Sequence, residues 1–246
     1  ALSLPSIAAT FSWWSVAAGE VRLALLEINR PDLDIRRAAN GGLYVGGIFV
    51  DLGKNTDNRG ANWLLEQTQI VVHEGRLRWN DNLRGAPELT LANLNFRLRN
   101  QARHHQFGLQ ATPPAALAAP IDVRADFVHP HFSRNIADVM RWKGVLFAHL
   151  PNTDLAAWRA YADYPIELMQ GAGSVRAWLN FNQARIAGFT ADLTLSDVSA
   201  RLRKDLQPLN LAQVRGRVFA REEFDAAATV ATAGTPALGA RGHTFS

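Results

Sequence analysis

The stretch Ile121-Asp122-Val123-Arg124-Ala125-Asp126-Phe127 decides how this chain is read. Apolar Ile121, Val123, Ala125 and Phe127 alternate with charged Asp122, Arg124 and Asp126. A period of two marks a strand with one face in an apolar core and the other in water. The same alternation recurs at Val21, Leu23 and Leu25, at Leu77 and Trp79, and at Val175, Ala177, Leu179 and Phe181. It returns once more at Phe189, Ala191, Leu193 and Leu195. Such runs, separated by Gly, Pro, Asn and Asp, predict a mainly antiparallel β protein.

Helical spacing is confined to three short places. Ala61–Gln67 and Thr153–Tyr161 lack β-branched residues in their interiors, and Pro113–Leu117 is expected to form one further turn. Thr153 is the expected N-cap of the second, with Asp154 in its first turn, where negative charge is favoured.

LTLANLNFRL, Leu89 to Leu98, resembles LNLAQVRGRV, Leu209 to Val218. Both stretches change phase. Leu89 and Leu91 occupy odd positions and Leu94, Phe96 and Leu98 even ones, as Leu209 and Leu211 precede Val214 and Val218. A strand keeps one buried face through such a change only by inserting a residue, so a β-bulge or bend is predicted near Ala92–Asn93 and near Ala212–Gln213. The chain is read as a single unit over residues 1–246, or as two repeats of about 1–128 and 129–246.

Composition excludes several chemistries. The 246 residues are 48% hydrophobic and 20% charged, which is the balance of a core-forming chain. There is no cysteine, so disulfides, thiolate metal sites and a cysteine nucleophile are ruled out. Lys+Arg number 26 against 22 Asp+Glu, a formal net charge of +4 that is too thin to argue for nucleic acid. The uncharged run Ala1–Gly19 is broken by Pro5 and several serines and reads as a β segment rather than a membrane span. Ala226–Ala240 reads as a weak edge strand or a loose tail.

No active site emerges from the motifs. GAGSV at Gly171–Val175 lacks the Lys-Ser/Thr of a phosphate loop, and neither a G-x-S-x-G elbow nor an H-E-x-x-H pair occurs. His129 and His131 flank Pro130, and His104–His105 lies elsewhere, but a metal needs a third ligand that the spacing does not supply. No catalytic residue, metal ligand or cofactor is assigned. The clusters Arg97, Arg99, Arg103 and Arg201, Arg203, Lys204 come without a nucleic-acid-binding motif and read as solvated sheet face or as the rim of a groove meeting acidic head groups.

Four stretches, taken in order, resemble the AsmA-like family of bacterial envelope proteins, in particular its YhdP branch. They are INRPDLDIRRAANGGLYVGGI (Ile28–Ile48), NWLLEQTQIVVHEGRLRWNDN (Asn62–Asn82), APELTLANLNFRLRN followed by HHQFGLQATPP, and WKGVLFAHLPNTDLAAWRAY (Trp142–Tyr161) followed by GAGSVRAWLNF and FTADLTLSDVSARL. The resemblance runs from about Leu2 to Val218. It implies an extended antiparallel sheet curled into an apolar groove, with two or three short helices. It also implies a periplasmic, non-catalytic role: binding phospholipid acyl chains and passing lipid between the inner and outer membranes of a Gram-negative cell. Outer-membrane or other envelope proteins are the further partners it implies, and the inner membrane is reached through an anchor that this chain lacks.

The residues expected to line the groove are Leu94, Phe96, Leu98, Phe107, Leu109, Val123, Phe127, Phe147, Leu179, Phe181 and Leu193. Each reads equally as an ordinary core residue, since sequence does not separate a lined groove from a filled interior. The alternative is an envelope scaffold that binds proteins by strand addition at an open sheet edge. An envelope hydrolase ranks third and a nucleic-acid binder last.

Overall fold

Residues rich in alternating apolar side chains pair into a single fourteen-stranded sheet in the computed structural model, which describes residues 6–11, 22–50, 59–131, 136–164, 166–183, 185–203, 205–222 and 243–245. The strands are β1 (Ser6–Phe11), β2 (Leu23–Asn29), β3 (Asp32–Arg37), β4 (Leu43–Val45), β5 (Ile48–Val50), β6 (Gln69–Asp81) and β7 (Leu89–Gln101). They continue as β8 (His104–Thr112), β9 (Ile121–Val128), β10 (Lys143–Asp154), β11 (Glu167–Asn182), β12 (Arg185–Arg201), β13 (Leu209–Glu222) and β14 (His243–Phe245). Their order is β14-β13-β12-β11-β10-β9-β8-β7-β6-β3-β4-β5, an open sheet that does not close into a barrel. From β6 to β14 each strand pairs antiparallel with its sequence neighbour.

The exceptions to antiparallel pairing lie along one edge of β6. β2 pairs parallel with its first half and β3 with its second. The chain kinks between them at Arg30 (φ 50°) and Pro31, opposite an extra residue in β6 at Glu74 (φ 52°). β7 carries the matching irregularity at Asn93 (φ 49°), so the bulge expected near Ala92–Asn93 is present. Asn95 ties the two together: its side chain accepts from Glu74 N–H (3.3 Å) and donates to the Asn93 carbonyl (3.0 Å). The extra residue returns Leu89, Leu91, Leu94 and Phe96 to one face, where they share a core with Val72, Ala111 and Ile121.

The bulge expected near Ala212–Gln213 is absent. β12 and β13 hold one register from Ala200↔Leu209 to Gly188↔Arg221. The change of phase is met on both strands at once: β12 makes the same change at Asp197 (φ 51°), so Leu195 and Val198 share one core, on which Val214 packs, and no residue is inserted.

Helix is scarce, as expected, and two of the three expected places hold helical structure, the third only in its second half. α1 spans Arg59–Glu66, and Pro114–Ala118 is one turn closed by Leu117 N–H to the Pro114 carbonyl (2.8 Å). Thr153 caps no helix. It is the fully buried penultimate residue of β10, and its hydroxyl donates to the Leu117 carbonyl (3.0 Å). Asp154 holds the following turn instead, accepting from Ala157 N–H at 3.1 Å ahead of a 3-10 helix over Ala157–Ala160. Gly171–Val175 is not a loop but lies within β11. The segment Ala226–Ala240 lies outside the described residues, as does most of Ala1–Gly19 apart from β1.

Candidate functional site

Direct cross-strand partners carry their side chains on the same face of a sheet. One row therefore crosses eight strands as Val72, Phe96, Leu109, Val123, Ala148, Ala177, Ala191 and Val218. The row beside it is Ile70, Leu98, Phe107, Ala125, Leu146, Leu179, Phe189 and Ala220. On the other side of the first row, Leu150, Val175 and Leu193 are partners. Across β10, β11 and β12 the first row is alanine only, and Ala177 and Ala191 are buried beneath the larger side chains of the adjoining rows.

The opposite face is polar. Its rows contain Arg97, Gly108, Arg124, Phe147, Trp178 and Thr190, and then Gln110, Asp122, His149, Arg176, Asp192 and Arg217. The charges there pair along and across strands: Arg124 with Asp122 and Arg217 with Asp192, each with a contact of 2.6 Å. The Arg217 guanidinium, with Arg176 nearby, holds the Asp192 carboxyl below the usual carboxylate range, and hydrogen bonds to Asp122 and Asp192 push Arg124 and Arg217 up.

This division places the expected groove residues. Leu94, Phe96, Leu98, Phe107, Leu109, Val123, Phe127, Leu179, Phe181 and Leu193 share the apolar face. Phe147 does not. It pairs with Arg124 and Trp178 on the polar face, its ring 5.3 Å from the Trp178 indole, while Arg217 lies over that indole at 5.9 Å. Leu94 and Leu98 are sealed, at 4% and 5% exposure, whereas the rest of the set is half-buried. A cavity of about 480 Å³ beside Val72, Phe96, Phe107 and Leu109 also touches Arg97 and Arg124 of the other face. The sheet is thin there, because Gly108 bears no side chain and a Cβ on it would meet nothing within 4 Å.

Both ends of the apolar face are covered. At one end Trp158 and Tyr161 pack on the core around Leu91 and Ile121, with the Trp158 indole donating to the Leu117 carbonyl (3.2 Å). Arg84 holds that cover down through a bidentate pair with Asp163, both contacts 2.6 Å. At the other end Trp142 is buried against Phe107 and Phe127, and its ring lies 4.8 Å from that of His105, only 9° from parallel.

Sequence reasoning missed this second cover and the polar chain beneath it. His105 is fully buried and stacks on His129 as well as Trp142. Its Nδ1 meets Asn100 Oδ1 at 2.7 Å. Asn100 donates its amide to the Gln67 and Leu64 carbonyls, so its oxygen faces the ring and His105 Nδ1 carries the proton. Gln67 in turn accepts from Leu23 N–H (2.7 Å) and donates to the Trp63 carbonyl. Burial first, then the neighbouring His129 and His104, push the His105 pKa down to about 4, and the ring stays neutral. His129 is also buried, while His131 is exposed, so the two are not displayed together. Among the described residues no three His, Asp or Glu side chains are grouped to hold a metal. Among them, too, no helix is long and apolar enough to cross a membrane.

The strands thus form an open sheet with one charged face and one apolar face, covered at its ends and half-buried between them. The family model described as YhdP protein matches residues 1–231, and the chain belongs to that family, the YhdP type of AsmA-like proteins. No curated protein and no solved structure matches the chain.

Proposed function

We propose that this chain binds phospholipid by its acyl chains along the apolar face and hands it on between the inner and outer membranes of a bacterial envelope, within the periplasm. The observation that carries this reading is the continuity of the face: apolar rows run across strands β6 to β13, half-exposed in their middle, while the other side of the same strands is charged. Membership of the YhdP family supports an envelope role related to lipid transport. Burying an acyl chain stabilises by about 0.8 kcal/mol per CH₂, so a dry apolar face of Ala, Leu and Phe suffices for capture. The rows run across the strands and present similar half-exposed side chains at Val123, Leu146, Leu179 and Leu193, which favours sliding over trapping. Moving a lipid this way makes and breaks no covalent bond and calls for no catalytic residue.

Native mass spectrometry of the chain purified gently from bacterial envelope tests the reading. Retained phospholipid at a fixed stoichiometry is expected, and a folded Leu179→Asp variant is expected to lose it. A folded wild-type chain that neither retains nor takes up phospholipid would overturn the proposal.

One observation favours the scaffold reading in second place. Among the described residues β13 meets β14 only at Ala220–Glu222, and Leu209, Leu211, Val218 and Phe219 are exposed along it. An edge of this kind accepts an added strand from a protein partner. Protection of β13 amides from exchange by an envelope partner, with no lipid bound, would favour it.

A further inference from the structure

At the strand ends where β11 begins and β12 finishes lies a cavity of about 740 Å³ lined by Arg159, Tyr164, Ile166, Glu167, Arg201 and Arg203; the partners Glu167 and Arg201 lie on the face opposite Leu168 and Ala200, while Tyr164 reaches the cavity from the apolar side. Its composition differs from that of the apolar face. Three guanidinium-bearing residues line it at the strand ends, and Tyr164 joins the two environments, since it also packs on the core of Leu168, Leu195 and Val198. Leu202 and Ile166 are exposed at the rim, at 56% and 36%.

The arginines are only partly committed. Arg201 gives Nη1 to Glu167 (3.1 Å), its direct partner across the strands, while its Nε is buried without a hydrogen-bond partner. Arg159 gives Nη1 to the Leu168 carbonyl (3.0 Å), and Arg203 pairs with Asp205 (3.2 Å) on an exposed bend. Each guanidinium has five N–H donors in a planar fork that suits a phosphate oxygen pair. Three cations against the carboxylates of Glu167 and Asp205 leave the cavity positive.

We infer that this cavity holds the phosphate of an anionic amphiphile whose acyl chain lies on the adjoining apolar face. The inference rests on the lipid reading above and adds to it a fixed headgroup station. Arg201 and Arg159 bind the phosphate oxygens, Arg203 adds charge at the rim, and Tyr164 marks the boundary between head and chain.

Binding of three probes to the purified chain tests it, each below its micelle-forming concentration: lysophosphatidylglycerol, a monoacylglycerol with the same acyl chain, and inorganic phosphate. Wild type is expected to bind lysophosphatidylglycerol at least about tenfold more tightly than the monoacylglycerol, the effect of one charge-assisted hydrogen bond. Salt should erode that margin and leave the monoacylglycerol affinity alone. The variant Arg159→Gln/Arg201→Gln is expected to bring lysophosphatidylglycerol down to the monoacylglycerol level without changing the latter. Arg203→Gln, on an exposed bend, should lower the same margin to a smaller degree and serves if the double variant does not fold. Equal binding of both lipids by wild type, a margin unmoved in folded arginine variants, or free phosphate bound as tightly as the lysolipid would each overturn the headgroup station. The first two of these results leave the lipid reading standing. Failure of wild type to bind either lipid would sink both.

Discussion

Phe127 and Phe181 meet edge to face with ring centroids 6.0 Å apart, although β9 and β11 are not neighbours. They meet because the residue between them on β10 is Gly144, the cross-strand partner of both. A Cβ there would stand 2.1 Å from the Asp126 carbonyl oxygen and 2.6 Å from the Phe127 ring. Gly144→Ala is therefore expected to destabilise the chain by about 1–3 kcal/mol, the usual result of overpacking, read as a lower urea midpoint. Gly108→Ala, where the added methyl meets nothing within 4 Å, should leave stability unchanged or slightly raised. Equal effects at the two glycines would refute the packing described here.

Stability should depend on pH through His105. Its folded pKa of about 4 lies below the ordinary value of 6.5, so the unfolded chain takes up the proton first as pH falls. Where the unfolded state binds more protons, stability rises with pH. The neutral-ring contribution is thus complete above about pH 6.5 and declines as pH drops toward 4, by on the order of 2–3 kcal/mol over the window. Urea unfolding at steps between those values checks it. His105→Phe should flatten this part of the profile, and an unchanged profile in that variant would assign the dependence to other groups.

Asn93 sits at φ 49°, where a branched side chain is strained. Asn93→Val is expected to cost about 1–2 kcal/mol, the penalty of a left-handed conformation, while Asn93→Gly should be tolerated. Thermal unfolding of the two variants gives the comparison. If valine were as well accepted as glycine, the bulge would not be where the chain inserts its extra residue.

Much of this was legible because β alternation is local. Ile121–Phe127 announces which side chains turn inward, and the phase change at Ala92–Asn93 announces the bulge without reference to any partner. The second phase change, in Leu209–Val218, looks the same in one dimension. There the neighbouring strand changes phase at the same level, at Asp197, so the register holds with no residue inserted. Phe147 was misplaced for a related reason. Val145 and Phe147 on one face of β10 are as apolar as Leu146 and Ala148 on the other, so the strand's own pattern does not tell them apart. Pairing with Arg124 and Trp178 decides it. Thr153 failed as a cap because β10 continues along β11 to Asp154, past the irregularity at Asn152. The stack of Trp142 on His105 joins residues from distant segments, and no periodic signal marks it. The arginine cavity is assembled from Arg159, Arg201 and Arg203 on two separate segments, of which only the second stood out as a cluster.

Photo-crosslinking in living bacteria tests the central claim most directly. A photoreactive phenylalanine analogue at Leu179, on the apolar face, is compared with the same analogue at Phe147, on the reverse of the same sheet. The account predicts phospholipid adducts from position 179 and none from position 147. Adducts from both positions in equal yield, or from neither in a folded chain, would contradict it.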